Sequence, residues 1–238
     1  MIDKVYRQER KILLTKAKAV LLEQRIAAVL PLDAHASENG AYHIRSIYFD
    51  TTDNSAYQEK NIGVSEREKI RLRFYSSDTS VVKLEKKEKR ENLIHKDVVL
   101  INRETAEAMI RGDFTALLSY DAPLAKEVYA KAMATKLKPV VIVDYARKAY
   151  VYPIAEVRIT FDYELSAGPV CKNVWEVGEQ YDVLGDNVIL EVKFNKYLPT
   201  YIMALLSSVP GAKIALSKYV MCRDSLKEKY GYLIGGRK

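Results

Sequence analysis

The sequence predicts an α+β fold in which a mainly antiparallel sheet of eight strands is covered by helices. Three observations predict it. Eight segments alternate apolar and polar residues or are rich in β-branched residues, as strands are. Several of these segments follow one another without a helix long enough for a parallel crossover. With 238 residues, of which 48% are hydrophobic, the chain can bury a sizeable core, and we expect one domain over residues 1–238.

The strands are predicted from their alternation, in the order 5–13, 43–50, 67–75, 81–89, 94–101, 140–151, 156–164 and 188–194. Helices are predicted between them at 16–30, 53–61, 103–111, 122–136, 199–208 and 218–230. Pro31 ends the first helix, and Ser217 is a suitable N-cap for the last one. The stretches "KLEKKEKRENLIHKDVVL" and "DYARKAYVYPIAEVRITFDYEL" predict hairpins, and "YELSAGPV" predicts a turn or loop.

The composition favours a basic protein that meets anions. The chain has 38 Lys and Arg against 31 Asp and Glu, which gives a formal net charge of +7. Its two cysteines, Cys171 and Cys222, suggest neither a disulfide framework nor a metal site, so we expect reduced thiols and a cytoplasmic location. The charged N-terminus predicts no signal peptide, and no run of about 18 apolar residues predicts a membrane span.

The polar faces of the strands are unusually cationic. In "REKIRLRFY", Lys69, Arg71 and Arg73 share one face, while the apolar residues Ile70, Leu72 and Phe74 share the other. Charged residues share a face in at least six of the eight strands. The other rows are Arg7, Glu9 and Lys11; Lys83, Glu85, Lys87 and Lys89; Tyr145 and Arg147; Glu156, Arg158, Thr160 and Asp162; and Ile189, Glu191 and Lys193.

Two interpretations of these rows remain open. An antiparallel sheet with one solvated face is the ordinary design. Alternatively, eight strands close into a barrel with the charged face inward, which creates a basic tunnel. Like charges on neighbouring strands repel, and the repulsion rises in a confined space. The tunnel interpretation therefore predicts a linear polyanion among the cations, since Arg grips phosphate at two points and Lys acts as a point charge.

The strand motifs resemble a known family. They are "RQERK", "SIYFDT", "EKIRLRFY", "VKLEKKEKR", "DYARKAY", "EVRITFDYEL", "ILEVKF" and "LSKYVMC", and they follow one another over roughly residues 5 to 225. In this order they resemble the VTC domain, the polyphosphate polymerase module of the vacuolar transporter chaperone complex and of its bacterial relatives. That domain is part of the triphosphate tunnel metalloenzyme, or CYTH-like, superfamily.

The resemblance implies an eight-stranded antiparallel tunnel with helices outside it, which uses ATP to synthesise inorganic polyphosphate. It implies Mn²⁺ or Mg²⁺, with Glu191 as the metal ligand and Glu9 and Glu85 as second candidates. Matching positions imply catalytic roles for Arg71, Arg73, Arg147, Arg158 and Lys193, and phosphate contacts for Lys11, Lys87, Lys96 and Lys218. The adenylate-cyclase and thiamine-triphosphatase branch begins with Glu-x-Glu-x-Lys, and Arg7 replaces the first of these glutamates. The resemblance also leaves room for a separate membrane-protein partner.

The implied reaction moves the γ-phosphoryl group of ATP onto a growing chain, which needs positioning and charge neutralisation more than a strong base. The histidines at 35, 43 and 95 are expected to be surface or structural residues, and Asp162 is expected to buffer Arg158. One alternative is a tripolyphosphatase or nucleoside triphosphatase of the same fold. Another is a module that binds polyphosphate without turnover. Nucleic acid is disfavoured because the basic strands lack stacking aromatic residues. A peripheral membrane protein is disfavoured because no basic amphipathic helix is predicted. The metal, the product length and the oligomeric state stay open.

Overall fold

The computed structural model describes residues 7–34, 40–75, 78–91, 93–171, 173–195, 197–213 and 216–231. His35, the start of the first predicted strand and the last seven residues lie outside these ranges. The described strands are β1 (Arg7–Thr15), β2 (Ala41–Asp50), β3 (Glu66–Tyr75), β4 (Asp78–Arg90), β5 (Leu93–Asn102), β6 (Lys138–Tyr152), β7 (Val157–Gly168), β8 (Tyr181–Asp182), β9 (Asn187–Phe194) and β10 (Ala212–Lys213). The helices are α1 (Lys16–Ala27), α2 (Ser55–Asn61), α3 (Arg103–Ile110), α4 (Pro123–Thr135), α5 (Thr200–Ser207) and α6 (Lys218–Tyr230), with short 3-10 turns at Thr115–Ser119 and Pro153–Ala155.

Eight of the strands form a closed ring. Its order is β1-β5-β4-β3-β2-β6-β7, and β9 pairs with both β7 and β1 to complete it. All of the pairings are antiparallel. The α+β class and the eight-stranded antiparallel barrel are therefore confirmed. The two-residue strands β8 and β10 add short edges that the sequence pattern did not predict.

The apolar face of the ring points outward, under the helices. On one side, Ile47, Leu72 and Phe74 pack with residues of α3 and α4. On the other side, Phe161 and Leu190 pack with residues of α1 and α5. Burial of each large apolar side chain contributes roughly 1.5–3 kcal/mol. Because strand side chains alternate, this arrangement directs the charged rows to the interior of the ring.

The predicted turn at "YELSAGPV" is wrong, because β7 continues through it to Gly168. Glu164 has a φ of 54°, and the register between β6 and β7 shifts between Asp144 and Ala146. An extra residue of this kind forms a β-bulge, which lets the strand continue while its alternation is offset. Leu165 therefore points to the same side as Asp162, three positions earlier.

Helix α6 covers one end of the ring. Ser217 caps it by accepting a hydrogen bond from the backbone N–H of Val220, at 3.4 Å, which confirms the predicted N-cap. The buried face of α6 packs in an apolar cluster with inward-facing residues of β6, β7 and β9. This cluster includes Val143, Leu165, Ala167, Ile189, Tyr219, Val220, Cys222 and Leu226. No helix in the described ranges is long and apolar enough to cross a membrane.

Candidate functional site: a cationic cavity inside the ring

The interior of the ring contains a cavity of about 410 Å³. Seven of the eight ring strands, all except β7, contribute described residues to its wall, together with Lys60 of α2 and the segment Leu216–Tyr219 at the start of α6. Twelve Lys and Arg side chains line it against two carboxylates, so the cavity carries a large excess of positive charge. Seven of the predicted site cations lie in this wall: Lys11, Arg71, Arg73, Lys87, Arg147, Lys193 and Lys218. Their part in phosphate binding stays a prediction.

Glu191 lies at the centre of one cluster of cations. Its Oε1 atom is 2.7 Å from Lys218 Nζ and 3.2 Å from Lys11 Nζ. Its Oε2 atom is 3.5 Å from Lys193 Nζ and 3.6 Å from Arg147 Nη2. Burial alone raises the pKa of Glu191, but the surrounding cations, Lys11 first, outweigh it and hold that pKa well below its ordinary value. The carboxylate is therefore ionised and already shared between four positive groups.

Asp162 belongs to the same cluster and was given the wrong partner by the sequence interpretation. Its side chain is fully buried and accepts two hydrogen bonds from Arg147, at 2.6 and 2.8 Å. Its Oδ2 atom lies 2.5 Å from Lys218 Nζ. Arg158 instead pairs with Asp33 and donates to the Tyr42 hydroxyl at 2.8 Å. The pairing of β6 with β7 places Arg147 directly opposite Asp162, and only that register identifies the pair.

Glu85 organises a second cluster. Arg71 Nη2 lies 2.6 Å from its Oε2 atom, and Lys96 Nζ lies 2.9 Å from its Oε1 atom. Arg73 Nη1 is 3.6 Å from Oε1. Burial raises the pKa of Glu85, while Arg71, Arg73 and Lys96 together lower it far below its usual value. The side chain is almost completely buried behind these cations, so it acts as their fixed counter-ion.

Tyrosine hydroxyls hold two of the arginines in place, and the sequence interpretation did not assign them to the site. The Tyr48 hydroxyl accepts a hydrogen bond from Arg71 at 2.7 Å, and the Tyr145 hydroxyl accepts one from Arg73 at 3.3 Å. Both tyrosines line the cavity. Their positions in the alternation of β2 and β6 are the signal that could have identified them, since each shares a face with other inward residues.

Glu9 and Glu191 are the carboxylates that suit a divalent cation. Lys11 Nζ lies between them, 3.1 Å from Glu9 Oε1 and 3.2 Å from Glu191 Oε1. Glu9 Oε2 receives Lys87 at 2.7 Å, whereas Glu9 Oε1 is buried and makes no well-directed hydrogen bond. Two convergent carboxylates, one with an unsatisfied oxygen, are the hard donors that Mg²⁺ and Mn²⁺ prefer. These residues therefore fit a divalent metal better than Glu85 does.

A group of three acidic side chains also exists outside the ring. Glu68, Glu88 and Glu127 place carboxylate oxygens within 4.8 Å of one another. Lys86 Nζ lies 2.7 Å from Glu88 and 2.5 Å from Glu127, and Lys131 pairs with Glu68. This group thus connects the outer face of β3 and β4 to α4 as an ion-pair network, away from the cavity.

The remaining predicted residues lie at the margins. Lys96 reaches Glu85 but is 42% exposed at its side chain, and Arg158 is 36% exposed. Glu156, which the alternation placed in a charged row, precedes β7 in a left-handed conformation and pairs with Arg7 at 3.9 Å. Among the described histidines, His95 contacts Asp97 at 2.9 Å, and neither it nor His43 lines the cavity.

Comparison with known proteins agrees with this geometry. The model of the family described as "VTC domain" matches residues 6–227. No curated protein shows a significant match to the chain.

Solved structures share the fold at low identity. A putative adenylate cyclase from Bacillus halodurans is 12% identical with a TM-score of 0.54, over 90% of this chain and 96% of that one. A putative adenylyl cyclase from Hippeastrum, described as having a dominant triphosphatase activity, is 15% identical with a TM-score of 0.57, over 92% and 95%. The PH1819 protein from Pyrococcus horikoshii is 13% identical with a TM-score of 0.50, over 94% and 99%. At these identities the likeness concerns the fold alone.

Proposed function

The chain belongs to the VTC domain family of the triphosphate tunnel superfamily, whose members act on triphosphates or polyphosphate, and from this premise we propose that it is a polyphosphate polymerase. In this reaction a terminal oxygen of inorganic polyphosphate forms a bond to the γ-phosphorus of ATP. The bond from that phosphorus to the β–γ bridging oxygen breaks, and ADP leaves. The chain is lengthened by one phosphate.

The observation that supports this proposal is the chemistry of the cavity wall. It offers twelve cationic side chains, and among the described residues it contains no histidine or cysteine. Phosphoryl transfer to another phosphate depends mainly on positioning and on neutralising charge. A terminal phosphate is already deprotonated near neutral pH, so it needs no protein base. Hydrolysis, by contrast, benefits from a side chain that orients or activates water.

In this proposal both clusters supply arginines that bind the triphosphate. Glu85 and two tyrosine hydroxyls hold the guanidinium groups of Arg71 and Arg73 in fixed positions, from which they can donate paired hydrogen bonds to phosphate oxygens. Arg147 is held by Asp162 on the neighbouring strand β7, and it also lines the cavity. Because these guanidinium groups are positioned before the ligand arrives, they need little reorganisation when charge develops.

Glu9 and Glu191 are the residues we propose to hold a divalent metal. Such an ion, when bound, would supply positive charge that offsets the charge of the phosphates. Lys11 lies between these two carboxylates and would release them as the metal and the phosphates enter together. Lys193 and Lys87 extend the cationic wall on the same side of the ring.

The test is product analysis after incubation of the purified protein with ATP and Mn²⁺. We expect a ladder of polyphosphate on a polyacrylamide gel, and we expect Arg71→Ala to abolish it. The control is Arg111→Ala, which removes an exposed arginine outside the cavity. Release of orthophosphate without polymer would instead establish a hydrolase of the same fold. Binding of polyphosphate without any turnover would establish a non-catalytic module.

A further inference from the structure

The wall between β3 and β4 carries two consecutive like-charge pairs, of which the proposed reaction uses only Lys87. The register places Arg67 directly opposite Lys89, and Lys69 directly opposite Lys87. All four side chains line the cavity, and Lys60 from α2 joins them. Side chains that face each other in an antiparallel pair have Cβ atoms roughly 5 Å apart, so these charges are held close together by the backbone itself.

Four of these cations form no salt bridge with a described carboxylate. Lys87 is paired with Glu9, but in the described ranges no carboxylate lies within salt-bridge distance of Lys60, Arg67, Lys69 or Lys89. Lys69 and Arg67 contact neutral groups instead. Lys69 Nζ donates to Ser217 Oγ at 2.6 Å and lies 5.3 Å from the centre of the Tyr219 ring, and Arg67 donates to the Val64 carbonyl oxygen at 2.5 Å.

This arrangement disfavours the cationic state. Burial lowers the pKa of Lys69 well below its ordinary value, and Lys11 and Lys87 lower it further. The pKa of Lys60 is also lowered, by burial and by Arg67 and Lys89. Like charges directly opposite each other on adjacent strands destabilise the fold. Binding of an anion between the two pairs would remove this repulsion.

We propose that Lys60, Arg67, Lys69 and Lys89 form a mouth subsite, which binds the phosphates of a long polyphosphate chain beyond those held by the inner clusters. The inference rests on the proposed function and extends it to the length of the substrate. The inward residues of β3 run from Arg73 through Arg71 and Lys69 to Arg67. Alternate residues of a strand lie about 6.6 Å apart, so this row spans about 20 Å. That length exceeds a triphosphate group, and only a longer chain reaches the mouth subsite from the inner arginines.

The test compares two anions of different length. Isothermal titration calorimetry measures binding of tripolyphosphate and of long-chain polyphosphate to the full chain and to the variant Lys60→Gln/Arg67→Gln/Lys89→Gln. We expect the variant to bind long chains at least about tenfold more weakly, with tripolyphosphate affinity changed by less than about threefold. Loss of three phosphate contacts should also reduce the slope of log affinity against log salt by about 2 for the long chain.

A matched control removes the same three charges elsewhere. Lys16→Gln/Lys18→Gln/Arg111→Gln changes exposed residues outside the cavity and should leave both affinities as in the wild type. Thermal melts show whether each variant is folded, and the variant Lys60→Arg/Arg67→Lys/Lys89→Arg, which keeps all three charges, should retain most of the affinity for long chains.

The outcomes separate this inference from the proposed function. Equal loss of both affinities, a loss shared by the control, or equal competition by single-stranded RNA would overturn the mouth subsite. A wild-type protein that makes no polymer from ATP, yet shows the length-dependent loss in the variant, would overturn the polymerase and keep the subsite. A protein that makes polymer while its triple variant binds long chains normally would overturn the mouth subsite and keep the polymerase.

Discussion

Asp162→Asn is the substitution for which the structure gives the sharpest expectation. The carboxylate is fully buried and neutralises Arg147 and Lys218 at once. Removing one partner of a buried ion pair costs roughly 3–5 kcal/mol, because the remaining charge stays buried without compensation. Lys218 keeps Glu191 at 2.7 Å, and Arg147 keeps it at 3.6 Å, so the cost falls at the lower end. We therefore expect the free energy of unfolding to decrease by about 3 kcal/mol.

Differential scanning calorimetry in a phosphate-free buffer measures this effect. For a chain of this size, each kcal/mol shifts the melting temperature by roughly 2–4 °C, so the variant should melt about 6–12 °C lower. Asp121→Asn is the control, since that carboxylate pairs with Lys126 while its side chain is fully exposed, and its melting temperature should not change.

Tripolyphosphate adds a second arm to the same experiment. An anion in the cavity supplies negative charge near Arg147 and Lys218, so it should raise the melting temperature of the variant more than that of the wild type. A variant that melts like the wild type without ligand would refute the reasoning about the buried charges. A smaller ligand-induced rise in the variant would refute the link between Asp162 and the anion site.

Three further expectations follow from the cavity and its frame. Burial lowers the pKa of Lys193 to about 7, so tripolyphosphate affinity should fall as the pH rises from about 6 to about 8. Calorimetry should show a weaker pH dependence for Lys193→Arg, because arginine stays charged over this range. Parallel pH profiles of the two proteins would contradict this expectation. Glu191→Gln should abolish Mn²⁺ binding in equilibrium dialysis while tripolyphosphate still binds, and unchanged Mn²⁺ affinity would exclude this glutamate as a ligand. Gly211→Ala should destabilise the fold by about 1–3 kcal/mol in thermal melts, because its Cβ would lie 2.4 Å from Ile12 Cγ2 and 2.9 Å from a backbone oxygen of β1. Gly178→Ala, whose Cβ meets only an atom at 3.9 Å, should melt normally, and equal melting of the two variants would refute the clash.

The alternation of residues predicted the wall of the cavity because a strand fixes the direction of each side chain. Lys69, Arg71 and Arg73 lie inward as their parity requires, and their apolar neighbours lie under the helices. The same rule failed where the backbone departs from a regular strand. Glu164, with its positive φ, offsets the alternation of β7, so residues after it could not be assigned to a face from the pattern.

The sequence could not predict the ion-pair partner of Asp162 or the helix that covers one end of the ring, and the reason is different. Whether Asp162 pairs with Arg147 or Arg158 depends on the register between β6 and β7. The alternation within one strand does not determine that register. The place of α6 at one end of the ring depends on an apolar cluster assembled from four strands, β2, β6, β7 and β9, and on its own buried face. Such contacts join residues far apart in the chain, and local patterns carry no information about them.

The ring is completed by pairing between β1 and β9, in a ladder that runs from Gln8 opposite Phe194 to Thr15 opposite Asn187. Contacts between segments so distant in sequence give a protein a high contact order, and such proteins fold slowly. During synthesis the rows on β3 and β4 leave the ribosome long before β9 is available to close the wall. Until that moment they are open ribbons of positive charge, and only the last quarter of the chain converts them into an enclosed site.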